Sequence, residues 1–187
     1  MTDIDASPLG LPQANLTRLL RAMAGAYPSQ PGRRHASIEA LVLEHGRWFT
    51  PAPLPPGRPL GRPQRCYSNA TLHSETYGLV YVEGFAIHTS GFPAAHAWCA
   101  RPDDTVEDPT WGTEGHAYLG LPFTSDYLRD HESRFGTHTV LFDQHRTGWD
   151  LLTHGVPADS LAPIGKSADL TSAPRLSDGS DDVNAPH

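Results

Sequence analysis

Apolar residues return every three or four positions between Gln13 and Tyr27, where Leu16, Leu19, Leu20 and Met23 share one stripe. That period predicts a helix stopped by Pro28. The pattern repeats from Ser37 to His45, with Ser37 as a cap and Ile38, Leu41 and Val42 on one stripe. It then fails: residues 51–63 hold six prolines and two glycines and read as a loop or polyproline-like linker. Beyond the linker, Cys66 opens a short helical stretch reaching about Thr76. The period shortens to two over Gly78 to His88, rich in Val, Tyr, Phe and Ile, which predicts a strand. Ala94 to Ala100 predicts a second strand, turned by Pro102-Asp103-Asp104 into a hairpin with Thr105 to Glu107. Ser125 to Phe135 reads as a helix capped by Ser125, Val140 to Phe142 as a last strand, and Trp149 to Leu152 as a final short helix.

These elements make an α+β chain, a helix bearing Cys66 packed on a small antiparallel sheet. Residues 1–12 read as a flexible N-terminus, 13–155 as a single domain, and 156–187 as a mostly disordered tail. No Phe, Trp or Tyr follows Trp149, so the tail has little to bury. At 187 residues one core is large enough to be stable without staples.

Composition narrows the function classes. A net charge of −7 argues against nucleic acid as a partner, because phosphate binding draws on clustered cations. No apolar run approaches the roughly 18 residues that a membrane helix needs, and no basic segment precedes an apolar stretch near Met1. The expected location is therefore cytoplasmic, with no membrane partner. Two cysteines make no disulfide framework. A Cys66–Cys99 bridge is conceivable, but a reducing cytoplasm favours free thiols.

Three segments carry chemistry: Gln64-Arg65-Cys66-Tyr67-Ser68-Asn69-Ala70, Ala95-His96-Ala97-Trp98, and Glu107-Asp108-Pro109-Thr110-Trp111. A thiol in the first turn of a helix faces the positive end of the dipole, which favours a nucleophilic thiolate. His96 falls on a strand face with Ala94 and Trp98, an apolar setting in which an imidazole needs a partner. Asp108 follows 12 residues later, at the end of the neighbouring strand, where its carboxylate can fix the imidazole tautomer. Together they satisfy the nucleophile, base and orienting acid of a thiol triad.

Cysteine opening a helix, His-Ala-Trp on a strand and Asp-Pro-Thr on the next resemble the transglutaminase-like branch of the papain-like cysteine enzymes. The resemblance covers roughly Gln64 to Trp111, about a quarter of the chain. It implies a papain-like, transglutaminase-like fold, with Cys66 as nucleophile, His96 as base and Asp108 as orienting acid. The sequence departs from that family before the cysteine, where Gln64-Arg65 stands in place of a glycine-containing turn and an adjacent aromatic residue.

Gln64, Asn69, Glu83 and Trp98 are candidate oxyanion or substrate-binding residues. Gln64 could offer its amide beside the backbone N–H of Cys66, or be a solvated loop residue. Glu83 shares a strand face with Tyr81, Phe85 and Ile87, which fits a buried carboxylate at the site, a salt bridge or an exposed edge. Trp98, Trp111, Tyr118 and Phe123 belong to the core, with one or two placed to line an acyl-binding groove. Cys99 has the opposite strand parity to His96 and Trp98 and reads as structural. His96, Cys99 and His116 lack a second ligand pair, so neither metal nor cofactor is expected.

The expected activity is cysteine-dependent acyl transfer on an amide, of peptidase, amidase, deamidase or transglutaminase type, with a peptide or amide-containing substrate. The alternatives are an arylamine-type acyltransferase and a non-catalytic binding module that keeps the fold. Sequence alone leaves the oligomeric state open.

Overall fold

The strand that organises the molecule is one the period-two pattern does not reveal. In the computed structural model, which describes residues 10–168, β5 (Gly115–Phe123) lies between β2 (Val80–His88) and β1 (Arg47–Phe49). With β3 (Pro93–Ala100), β4 (Val106–Glu107) and β6 (Lys166–Ser167) they form one antiparallel sheet in the order β4-β3-β2-β5-β1-β6. β5 is buried on both faces and therefore lacks alternation: all but one of its residues are buried.

Helices cover one face of the sheet. These are α1 (Leu11–Gly25), α2 (Ile38–His45) and α3 (Cys66–Tyr77), followed along the chain by α4 (Ser125–Phe135) and α5 (Asp150–His154). Leu16 and Leu20 of α1 and Leu41 and Val42 of α2 join Tyr81, Phe85, Ile87, Leu119 and Leu121 in a single apolar cluster. The other face holds a second, smaller cluster: Phe49, Val82, Ala86, Trp98, Ala100, Val106 and Tyr118, with Trp111 and Ile164 against it. Where β2 and β5 meet, Gly84 pairs with Gly120. A Cβ on Gly84 would stand 2.2 Å from the Leu119 carbonyl oxygen, so that crossing admits only glycine.

Local chemistry explains most helix ends. Ser37 Oγ accepts from the Ala40 N–H at 3.3 Å, the expected cap of α2. The cap of α4 is Thr124, one residue ahead of the expected Ser125. Gly78 and Gly136, both left-handed, end α3 and α4.

Two expectations need correction. Val140 to Phe142 is not a strand: the N–H groups of Val140 and Leu141 bond to the Glu83 carboxylate at 2.7 and 2.8 Å instead of a neighbouring strand. An apolar run with the look of a strand is here an irregular loop whose polar backbone is satisfied by one buried side chain. The segment 156–168 is also not a disordered tail. Ser160 is fully buried, Leu161 bridges to Phe123, and Lys166–Ser167 pairs with β1. Backbone pairing holds this segment although it contains no Phe, Trp or Tyr. The rest of the expected tail, from 169, and residues 1–9 of the expected flexible N-terminus lie outside the described residues.

Candidate active site

Residues 93–98 of β3 lie beyond β4, which pairs only with Cys99 and Ala100. Helix α3 runs beside β3 and is tied along its length to β3, to β4 and to the loop after Asp108. His73 Nε2 meets Glu107 Oε2 at 2.9 Å, the Cys99 thiol donates to the Ala70 carbonyl at 3.2 Å, and Asn69 Nδ2 donates to Thr110 Oγ1 at 2.9 Å. The first residue of α3 is Cys66, and it reaches His96.

His96 is 1% exposed. Its Nε2 lies 2.7 Å from Asp108 Oδ2, and the Cys66 thiol also acts on the ring. Burial by itself would push the imidazole pKa down. Hydrogen bonds and charge from Asp108 and Cys66 outweigh it, and the net shift is upward. The Trp111 indole covers the ring, with centroids 3.7 Å apart and planes 10° from parallel.

Asp108 is fully buried and fully bonded. Oδ2 accepts from Tyr118 Oη at 2.9 Å as well as from His96. Oδ1 accepts the N–H groups of Thr110 and Trp111 at 2.8 and 3.0 Å, the turn chemistry of an Asp before Pro. Burial raises a carboxyl pKa, but the His96 bond and charge and the two amides together hold it below the ordinary range.

The entrance to α3 is unusual. Gln64 takes φ 60°, the left-handed conformation that a glycine would adopt without strain. Arg65 caps α3 without a side-chain acceptor, leaving the first-turn N–H groups, including that of Cys66, without helical partners. Gln64 itself is exposed.

The remaining candidates are structural. Asn69 spends both amide hydrogens on the Arg62 carbonyl and Thr110 Oγ1, clamping the proline-rich linker onto the loop after Asp108. Trp98 is fully buried and packs on the Phe49 and Tyr118 rings, so it lines no groove. Glu83 is fully buried without a cation: Tyr81 Oη donates to Oε1 at 2.7 Å, beside the two backbone donors of the 140–141 segment. Burial pushes its pKa up to about 7 against the pull of these donors. Cys99 is buried on the opposite face from His96, and burial drives its thiol pKa well up.

Sequence reasoning misses the part that two core aromatics play at the site. Tyr118 is core and also the second donor to Asp108; its signal, a polar tip on a buried aromatic, is present in the sequence. Trp111 packs against the core and is also the face on which His96 lies. An open cavity of about 570 Å³ is lined by residues of α1, α2, β2 and β3, and by none of Cys66, His96, Asp108 or Trp111. Ala95, next to His96 in the chain, and Phe142, whose ring meets that of Tyr67 at 6.0 Å, both line it.

Among the described residues, no helix is long and apolar enough to cross a membrane. Comparison with models of protein families, with curated proteins and with solved structures finds no match to this chain.

Proposed function

We propose that this chain is a cysteine-dependent acyl-transfer enzyme acting on an amide, with Cys66 as nucleophile, His96 as base and Asp108 as orienting acid. The observation that carries this reading is the polarity of His96. One ring nitrogen is committed to a buried, four-times-bonded carboxylate, and a thiol at the start of a helix also acts on the ring. A histidine serving only the core would not need both an acid and a thiol.

In this reading Cys66 Sγ attacks the amide carbonyl carbon and its proton passes to His96 Nδ1. The oxyanion forms beside the unpartnered first-turn N–H groups of α3. Collapse breaks the C–N bond, His96 returns the proton to the departing amine, and a thioester on Cys66 remains. Water then yields hydrolysis or deamidation, and a second amine yields transfer. Asp108 fixes the tautomer with the proton on Nε2 in the resting neutral ring. A papain-like, transglutaminase-like fold accords with a helix carrying the thiol against an antiparallel sheet carrying the base and acid.

The test is alkylation by iodoacetamide at pH 6, read by intact mass and peptide mapping. Modification confined to Cys66, and lost in His96→Ala with the far-ultraviolet spectrum unchanged, supports the reading. Identical alkylation profiles against pH for the wild type and His96→Ala would overturn it and leave a binding module.

A further inference from the structure

We infer that His35, Glu44 and His45 form a binding site for one divalent transition-metal ion of the zinc class. The site is separate from the proposed catalytic residues and does not depend on them. His35 stands in the loop ahead of α2, and Glu44 and His45 form the last turn of that helix. One ligand atom from each lies within 4.8 Å of the other two. His35 Nε2 is 3.0 Å from Glu44 Oε2, and His45 Nε2 is 3.3 Å from Glu44 Oε1. Ligand atoms about 2.0–2.2 Å from a tetrahedral zinc stand roughly 3.3–3.6 Å from one another. Small rotamer changes therefore suffice to admit an ion.

A second observation points to a missing ligand. His35 is 4% exposed, and the Nε2 atom of His45 is shielded from solvent with no hydrogen-bond partner. A desolvated imidazole nitrogen facing a carboxylate without a bond is a cost that structures seldom leave standing. A metal ion satisfies it by taking the lone pair. Two imidazoles and one carboxylate are a donor set that zinc accepts, with the fourth position open to water. Arg34 Nη2, 3.4 Å from Glu44 Oε1, would then hold the carboxylate from outside, as outer partners of metal ligands do.

The ion's role would be structural. It would join the 28–37 loop to the end of α2, and the loop residues Arg33, Ala36 and Ser37 line the 570 Å³ cavity. Metal occupancy would thereby fix one wall of that cavity.

The test uses the full chain, freed of any affinity tag and treated with chelator, titrated calorimetrically with zinc chloride at pH 7.5. A Cys66→Ser background removes the accessible thiol as a competing ligand. One equivalent should bind and raise the thermal midpoint. His45→Ala and Glu44→Gln, both at partly exposed positions and both expected to fold, should weaken binding at least tenfold and remove the rise. Cobalt should give visible d–d absorption without a thiolate charge-transfer band. Zinc binding equal in strength in all three proteins, or no binding to the parent at up to 100-fold excess, overturns the assignment.

Discussion

The Trp111 indole lies parallel to the His96 imidazole at 3.7 Å, covering one face of a ring whose edge is held by Asp108. A flat aromatic cover shields the His96–Asp108 hydrogen bond from water and opposes rotation of the imidazole off Asp108. Trp111→Phe should keep most of the alkylation rate of Cys66. Trp111→Ala should lower it about tenfold, equivalent to roughly 1.4 kcal/mol of interaction, while thermal unfolding shifts in the same order. Equal rates in both variants would show that the cover has no bearing on His96.

The His96–Asp108 pair makes a prediction in pH. His96 has a raised pKa, so its stabilising contribution is complete below the ordinary 6.5 and fades as pH climbs through the raised value. Asp108 has a lowered pKa, so its contribution is complete above the ordinary 3.8 and is lost as pH falls through the lowered value. The pair is therefore strongest between these two limits. The difference in stability between wild type and Asp108→Asn, measured by denaturant unfolding from pH 3 to 9, should be greatest there and shrink beyond either limit. Removing the carboxylate outright, in Asp108→Ala, should cost about 3–5 kcal/mol, as for other broken buried pairs.

Glu83 behaves oppositely to Asp108. Its pKa is raised from 4.5 to about 7, so the folded state holds the proton longer than the unfolded chain and stability falls as pH rises between those values. Glu83→Gln should remove that slope. It also sets an NH₂ group against backbone donors, so it should destabilise by roughly 2–3 kcal/mol at pH 7. Hydrogen exchange at Val140 and Leu141 reports the loss directly, and unchanged protection there would show that Glu83 does not hold the loop.

How much of the fold and the site is legible in the sequence depends on reach along the chain. Cys66, His96 and Asp108 each sit in a segment whose local pattern, helix start, strand or turn, is set by near neighbours. β5 is hidden because burial on both faces removes its alternation, and because Gly120 and Pro122 look hostile to a strand. Yet a Cβ at Gly120 would lie 2.5 Å from the Glu83 carbonyl oxygen, so the strand needs what propensity penalises. Val140 to Phe142 misleads in the other direction, since its backbone partner, Glu83, lies 57 residues upstream. The His35–Glu44–His45 cluster has no motif spacing and emerges only when the loop folds back on α2.

Truncation at two points tests the weight of the last described residues. A chain ending at Pro163 loses the Arg47 Nη1 bond to the Ile164 carbonyl, the Gly165 N–H bond to Asp104 and all of β6. Its thermal midpoint should fall by several degrees. A chain ending at Ala168 should unfold with the wild type, and a fall of equal size there would place the stabilising contacts beyond the described residues.

Cys99→Ala should cost about 1 kcal/mol, since the buried thiol packs in the main core and donates one weak bond to the Ala70 carbonyl. Alkylation at Cys66 should be untouched. Loss of alkylation with the fold intact would transfer the nucleophile's role to Cys99.

The strand order β4-β3-β2-β5-β1-β6 also sets a sequence of assembly. From Cys66 to Phe123 the chain forms one continuous block, in which β2 pairs with β3, β3 with β4, and β5 returns beside β2. Cys66, His96, Asp108, Trp111 and Tyr118 all lie inside it, so loop closures of low contact order bring the whole constellation together. β1 must wait for β5 to provide its edge, and β6 must wait for β1. Pulse-labelled refolding should accordingly protect the amides of Asp108's turn before those of Trp48 and Phe49. The candidate site is then assembled early, and the outer strands arrive to close the sheet around it.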